Sequence, residues 1–95
     1  MPEEVTDLVR QQTHKYFSPE DAALVLEEFE RTKLPLINNN GERVRLAVLY
    51  LSKGDLSLFD EAWSLAKNDW RDTLVAAGLA NGDWQEVLQL KVIRP

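Results

Sequence analysis

The sequence contains no cysteine and only one histidine. The missing cysteine excludes disulfide bonds, thiolate metal sites and a cysteine nucleophile, and it fits a reducing compartment. The lone histidine, His14, has no metal ligand or base partner near it in the sequence. We therefore expect His14 at or near the surface, without a catalytic role.

Long hydrophobic runs are also missing. The longest uninterrupted apolar stretch, Leu46 to Leu51, is far shorter than the roughly 20 residues that span a bilayer. The first residues, Met1 to Glu4, are polar and acidic, unlike the basic start and apolar run of a secretory leader. These features predict a cytoplasmic protein without a membrane partner.

Basic residues are scarce in the first third of the chain. Residues 1–30 hold eight acidic and two basic side chains, and the formal net charge of the whole chain is −5. Because an acidic surface repels phosphate backbones, we do not expect a nucleic-acid partner. The acidic stretch is interpreted as a solvated face, and the alternative is a docking face for a basic partner.

No recognised motif for catalysis, phosphate binding or metal binding is present. The sequence has no phosphate loop, no G-x-S-x-G and no H-E-x-x-H. Its carboxylates are scattered, whereas metal sites and acid–base pairs need specific ligands that converge. The sequence therefore predicts no enzyme activity, no metal and no cofactor.

The sequence contains a repeat of fourteen residues in three copies, over 53–66, 67–80 and 81–94. Each copy has Gly or Asn, then Asp, then a large apolar residue. The Asp can accept hydrogen bonds from N–H groups at a helix start, and the residue before it can adopt a positive φ that ends the preceding helix. The repeat predicts three short helices capped by Asp55, Asp69 and Asp83.

The first half of the chain shows apolar side chains at helical spacing. Ser18 can cap a second helix, and Pro19 suits the first helical position. Alternate residues between 44 and 50 are apolar, which would suit a β-hairpin across Asn40-Gly41. The same residues also fit a helical stripe, so we predict a helix there that is apolar on nearly every side.

The helical patterns predict an all-α fold, and the length of the chain suits a single domain. The expected architecture is a compact bundle of five to six helices, the last three short and Asp-capped. The predicted helices span 2–17, 19–32, 42–52, 56–66, 70–78 and 84–91.

The densest polar and aromatic cluster runs from Asn68 to Asp72. Trp and Arg dominate binding energy at protein interfaces, so Trp70 and Arg71 can form a hot spot. The structural alternative makes Asp69 a cap, Trp70 a core residue and Arg71 one half of a salt bridge. The candidate interaction residues are Asp69, Trp70, Arg71, Asp72, Arg43 and Arg45.

The three tryptophans, Trp63, Trp70 and Trp84, fall on predicted apolar stripes and are expected in the core. The leading functional hypothesis is a non-enzymatic protein-interaction or regulatory domain. The alternative is a small-molecule binding domain with a Trp-lined pocket. A tryptophan exposed beside Arg71 would favour a protein partner, and several tryptophans around one hollow would favour a ligand.

Residues 41–78 follow the pattern R-V-x-L-A-(I/V)-L-x-L-(S/A)-x-G-(D/N)-L and then, after a helix, A-x-x-D-(Y/W)-R-D-(V/L)-L, with Thr73 at the (V/L) position. The matching residues are Arg43, Val44, Leu46, Ala47, Leu49, Leu51, Gly54, Asp55, Leu56, Asp69, Trp70, Arg71, Asp72 and Leu74. In this part the chain resembles a family of small uncharacterised bacterial proteins. The resemblance implies an all-helical fold, favours a helix over a hairpin before Gly54, and implies no activity.

Overall fold

A computed structural model of the chain describes residues 5–31 and 41–90. These residues form six helices and no strand, which confirms the predicted all-α class. The helices are α1 Asp7–Tyr16, α2 Pro19–Arg31, α3 Gly41–Ser52, α4 Leu56–Asn68, α5 Trp70–Ala77 and α6 Trp84–Leu88.

Helix α3 lies at the centre of the bundle. All residues from 44 to 49 are buried, because this helix is apolar on nearly every side. It packs against α1, α4 and α5. A helix therefore occupies 41–52, where the alternating pattern also allowed a strand. The segment before Gly41 that would have formed the other half of the hairpin lies outside the described residues.

Four aromatic rings fill the core where α2 and α4 meet. The Phe29 ring packs edge-on against the rings of Phe59 and Trp63, with centroid distances of 5.6 and 5.0 Å. Phe17, which follows α1, packs edge-on against Phe59 at 6.3 Å. Trp63 is only 3% exposed, so this tryptophan is a core residue, as its place on the apolar stripe predicted.

Aspartates stand at the starts of the last three helices, as the repeat predicted. The Asp55 side chain accepts hydrogen bonds from the N–H groups two and three residues on, at 2.7 and 3.2 Å. The Asp69 side chain accepts one from the N–H of Asp72 at 3.2 Å. Asp83 also precedes its helix, but its side chain makes no capping hydrogen bond. Side-chain capping therefore supports α4 and α5 and not α6.

Several helix ends differ from their predicted positions. Helix α1 begins at Asp7 and not at residue 2, because Thr6 caps it by accepting from the N–H of Val9 at 3.4 Å. Helix α4 continues to Asn68, beyond the predicted end at 66. Helix α6 ends at Leu88, whereas the predicted end at 91 lies outside the described residues.

The turn between α3 and α4 packs against the end of α1. Gly54 has a φ of +81°, and a Cβ built on it would lie 2.6 Å from the carbonyl oxygen of Tyr16. Glycine adopts this left-handed conformation without a steric cost. The missing side chain at 54 therefore lets the turn and the C-terminal end of α1 approach each other closely.

Candidate functional site

An open groove of about 340 Å³ lies beside α3 and α5. Its lining residues are Arg43, Trp70, Arg71, Leu74, Val75 and Ala80. We call this feature the α3–α5 groove. It brings together three of the six candidate interaction residues, Arg43, Trp70 and Arg71, although residue 43 is far from the other two in sequence.

Trp70 and Arg71 form a stacked pair at the start of α5. The Arg71 guanidinium carbon lies 5.2 Å from the centroid of the half-buried Trp70 ring. This geometry gives a cation–π attraction. Within residues 5–31 and 41–90, no carboxylate lies within ion-pair distance of Arg71, so the salt bridge of the structural alternative is not formed there. The pair faces solvent, and no carboxylate among those residues neutralises its positive charge.

Arg43 supplies the second positive charge of the α3–α5 groove. Its Nε donates to the carbonyl oxygen of Leu79 at 2.6 Å, and its Nη2 donates to that of Asn81 at 3.3 Å. The guanidinium carbon lies 5.3 Å from the centroid of the Trp84 ring. Partial burial lowers the pKa of Arg43. Arginine stays charged at neutral pH, so Arg43 both anchors the segment before α6 and keeps a cation at the groove.

Val75 gives the groove an apolar rim that the sequence analysis did not identify. This side chain is 66% exposed, whereas the neighbouring Leu74 is buried. The signal for Val75 was its position off the buried stripe of α5, which consists of Thr73, Leu74 and Ala77. A single exposed apolar side chain is common on protein surfaces, so Val75 matters here because it lies beside Trp70 and Arg71 in the lining of the groove.

Asp69 and Asp72 lie at the start of α5 but do not line the groove. Both are exposed. The Asp69 carboxylate is occupied by the cap hydrogen bond from the N–H of Asp72. These two candidates therefore support the helix that presents Trp70 and Arg71.

Arg45 lies inside the core, so the prediction of Arg45 as an interaction residue at the surface is wrong. It is 2% exposed, and its guanidinium carbon lies 5.7 Å from the ring centroids of both Phe29 and Trp63. Its Nη2 donates to the carbonyl oxygen of Phe29 at 2.9 Å, and its Nη1 donates to that of Gly41 at 3.2 Å. The reason is the central position of α3, which buries side chains on almost every face.

The tryptophans do not converge on one hollow. Trp63 belongs to the core, and Trp84 packs beneath the Arg43 guanidinium. Of the three, only Trp70 lines the α3–α5 groove. Trp70 is half-buried and packs against the core beside the exposed Arg71. Its position therefore lies between the core residue of the structural alternative and an exposed hot-spot residue.

Metal sites, membrane-spanning helices and similarity to known proteins were the other possible sources of functional information. In the part of the chain that the structure describes, no group of three His, Asp or Glu side chains is placed to hold a metal ion. No helix within those residues has the length and apolar character needed to cross a membrane. No family model, curated protein or solved structure matches the chain. Function must therefore be inferred from the chemistry of the groove.

Proposed function

We propose that the protein is a non-enzymatic, cytoplasmic interaction domain that binds a partner protein through the α3–α5 groove. The observation that carries this proposal is the Trp70–Arg71 stack at the surface beside the exposed Val75. The missing cysteines are consistent with a reducing cytoplasm.

The composition of the groove lining supports a protein partner. Interface cores are enriched in aromatic residues and Arg, and they are depleted in Lys, Glu and Asp. The lining holds one tryptophan and two arginines, with no Lys, Glu or Asp. Binding energy concentrates in buried Trp and Arg anchors that neighbouring contacts shield from water. Leu74, Val75 and Ala80 provide the apolar surround for such an anchor.

The charge of the groove indicates the chemistry of the partner. Arg43 and Arg71 place two positive charges in a lining without acids, on a chain whose net charge is −5. Guanidinium groups bind carboxylates through paired hydrogen bonds. A partner segment with an acidic residue next to an apolar one would therefore pair its carboxylate with Arg71 and cover Val75.

The small-molecule alternative has less support from the geometry. Ligand sites bury most of the ligand surface in a concave, largely preformed pocket. The α3–α5 groove is open, and Trp63 and Trp84 do not contribute to its lining. A melting shift that a small molecule produces with wild type, and that Trp70→Phe abolishes, would support this alternative instead.

Site-specific photo-crosslinking in cells tests the protein-partner proposal. A benzophenone side chain is introduced at position 75 in the groove or at position 11, which is exposed on α1. We expect a discrete crosslinked protein from position 75 and none from position 11. Arg71→Glu should remove that product, whereas Lys67→Glu, which has the same charge change on the exposed end of α4, should keep it. Equal crosslinking from both positions, or no product from a folded protein with the probe at 75, would overturn the proposal.

A further inference from the structure

A second groove lies between α2 and α4. It also encloses about 340 Å³. Its lining residues are Leu24, Val25, Glu27, Glu28, Arg31, Leu56, Phe59 and Asp60. We call it the α2–α4 groove. It shares no residue with the α3–α5 groove.

The walls of the α2–α4 groove follow from helical periodicity. On α2, residues 24, 27, 28 and 31 have the i, i+3, i+4 and i+7 spacing of a single helix face. On α4, residues 56, 59 and 60 have the i, i+3 and i+4 spacing of one face. Val25 and Phe59 are buried beneath the two walls, so the accessible apolar surface belongs to Leu24 and to the partly exposed Leu56. The result is a trough with one accessible leucine on each wall and polar edges.

Leu24 gives the trough an uncovered apolar edge. Its side chain is 54% exposed, whereas Val25 beside it is fully buried. The buried stripe of α2 consists of Ala22, Val25 and Phe29. Leu24 lies off that stripe and adds nothing to the core that those residues form. Leu24 would give a bound segment hydrophobic contact opposite Leu56 on α4.

The edges of the trough are negatively charged. Its lining holds three carboxylates, from Glu27, Glu28 and Asp60, against the single guanidinium of Arg31. Arg31 forms a salt bridge with Glu28. Within the described residues, no cation lies within ion-pair distance of Glu27 or Asp60. Two acidic groups, one on each wall, are thus available to a cationic partner.

We propose that the α2–α4 groove binds a basic amphipathic helix of a partner protein. Amphipathic helices dock by laying an apolar face into a hydrophobic groove. Here the apolar face covers Leu24 and Leu56, while Lys or Arg side chains of the partner reach Glu27 and Asp60. Complementary charge selects such a helix and speeds its association. Together with the function proposed for the α3–α5 groove, this would give the protein separate sites for an acidic segment and a basic helix.

The test uses a labelled model helix of about 18 residues, five helical turns, with Leu on one face and Lys on the other. Its matched analogue has Glu in place of every Lys. Fluorescence anisotropy at physiological salt measures binding of each peptide to the full chain. We expect the Lys peptide to bind and the Glu peptide to show no binding in the same range.

Two pairs of variants separate the groove from the general acidity of the chain. Glu27→Lys with Asp60→Lys reverses both edges, and Glu61→Lys with Glu86→Lys makes the same charge change at exposed positions outside the groove. We expect about a tenfold or greater loss of affinity with the first pair, equivalent to about 1.4 kcal/mol, and less than about a twofold change with the second, under about 0.4 kcal/mol.

A second comparison tests the apolar contact. Leu24→Gln should weaken binding, and Val75→Gln, in the other groove, should not. Equal losses with the two charge-reversed pairs, no effect of Leu24→Gln, or equal binding of the Glu peptide would each overturn the proposal. A changed circular dichroism spectrum would mean that a charge-reversed pair has altered the fold. In that case the comparison of Leu24→Gln with Val75→Gln decides whether the groove binds the peptide.

Two further measurements distinguish this groove from the proposed α3–α5 site and from self-association. Arg71→Glu should leave the affinity for the Lys peptide unchanged, so failure at one groove does not imply failure at the other. Sedimentation velocity of the chain alone should show no dimer. A dimer that Glu27→Lys with Asp60→Lys dissociates would mean that a second copy occupies the groove, which would overturn the proposal.

Discussion

Replacing Gly54 with alanine tests the contact between the α3–α4 turn and α1. The backbone at Gly54 has a φ of +81°, a left-handed conformation that costs an L-residue about 1–2 kcal/mol. The new Cβ would also lie 2.6 Å from the carbonyl oxygen of Tyr16. Because that oxygen belongs to the main chain, either the turn or the end of α1 must move.

We expect Gly54→Ala to lower the free energy of unfolding by about 1–5 kcal/mol, the sum of three contributions. The left-handed backbone contributes about 1–2 kcal/mol. The overlap with Tyr16 adds about 1–3 kcal/mol, as overpacking usually does. Lower entropy of the unfolded alanine chain offsets about 0.4–1 kcal/mol. For a domain of this size, a 2 kcal/mol loss corresponds to a fall in Tm of roughly 8–16 °C.

Urea unfolding followed by far-UV circular dichroism measures this effect, and Gly82→Ala is the control. A Cβ at Gly82 would meet no atom within 4 Å, and its φ is not positive. The control should therefore be unchanged or more stable by up to about 1 kcal/mol. A Gly54→Ala protein as stable as wild type, or an equal loss in both variants, would refute the close-approach argument.

Two other predictions concern helix capping and alkaline pH. Asp69→Ala should lower the free energy of unfolding by about 1 kcal/mol, because its side chain accepts from the N–H of Asp72. Asp83→Ala should cost clearly less, since no such bond exists there; equal losses in urea unfolding would contradict this. Burial, and to a smaller extent Tyr50, raises the pKa of Tyr16. As the pH rises above about 10, the Tyr16 hydroxyl therefore loses its proton in the unfolded state before it does so in the folded state. The free energy of unfolding falls over this range. Tyr16→Phe should lose less stability than wild type between pH 9 and pH 11, and parallel curves would contradict the assignment.

The helices could be predicted because their signals are local. On α4, helical spacing predicts an apolar stripe of Leu56, Phe59, Trp63 and Ala66, and the structure buries all of them except the partly exposed Leu56. The Asp caps of α4 and α5 likewise depend on residues two or three positions away. Helical periodicity and capping residues can be recognised within a short window of sequence and do not depend on how distant parts of the chain pack.

The position of Arg45 could not be predicted from its residue type, because charged residues usually lie at the surface. The helix containing it was expected to be apolar on nearly every side, and that was the available signal. A charged residue between Val44 and Leu46 on such a helix has no exposed face to occupy. The core accommodates it by stacking the guanidinium on Phe29 and Trp63.

The two grooves depend on how helices pack, which a single sequence does not specify. Arg43 reaches Trp70 and Arg71 only through the packing of α3 against α5. Each groove nevertheless has a sequence marker, an apolar residue off the buried stripe of its helix. Leu24 on α2 and Val75 on α5 are these markers, and both are more than half exposed.

The buried guanidinium of Arg45 has a consequence for how the chain can be altered. It holds carbonyl oxygens of Phe29, in the last turn of α2, and of Gly41, the first residue of α3. One planar side chain thus ties the last turn of α2 to the first turn of α3. A change at position 45 would therefore disturb both helices at once, and with them the α2 wall of one groove and the α3 side of the other.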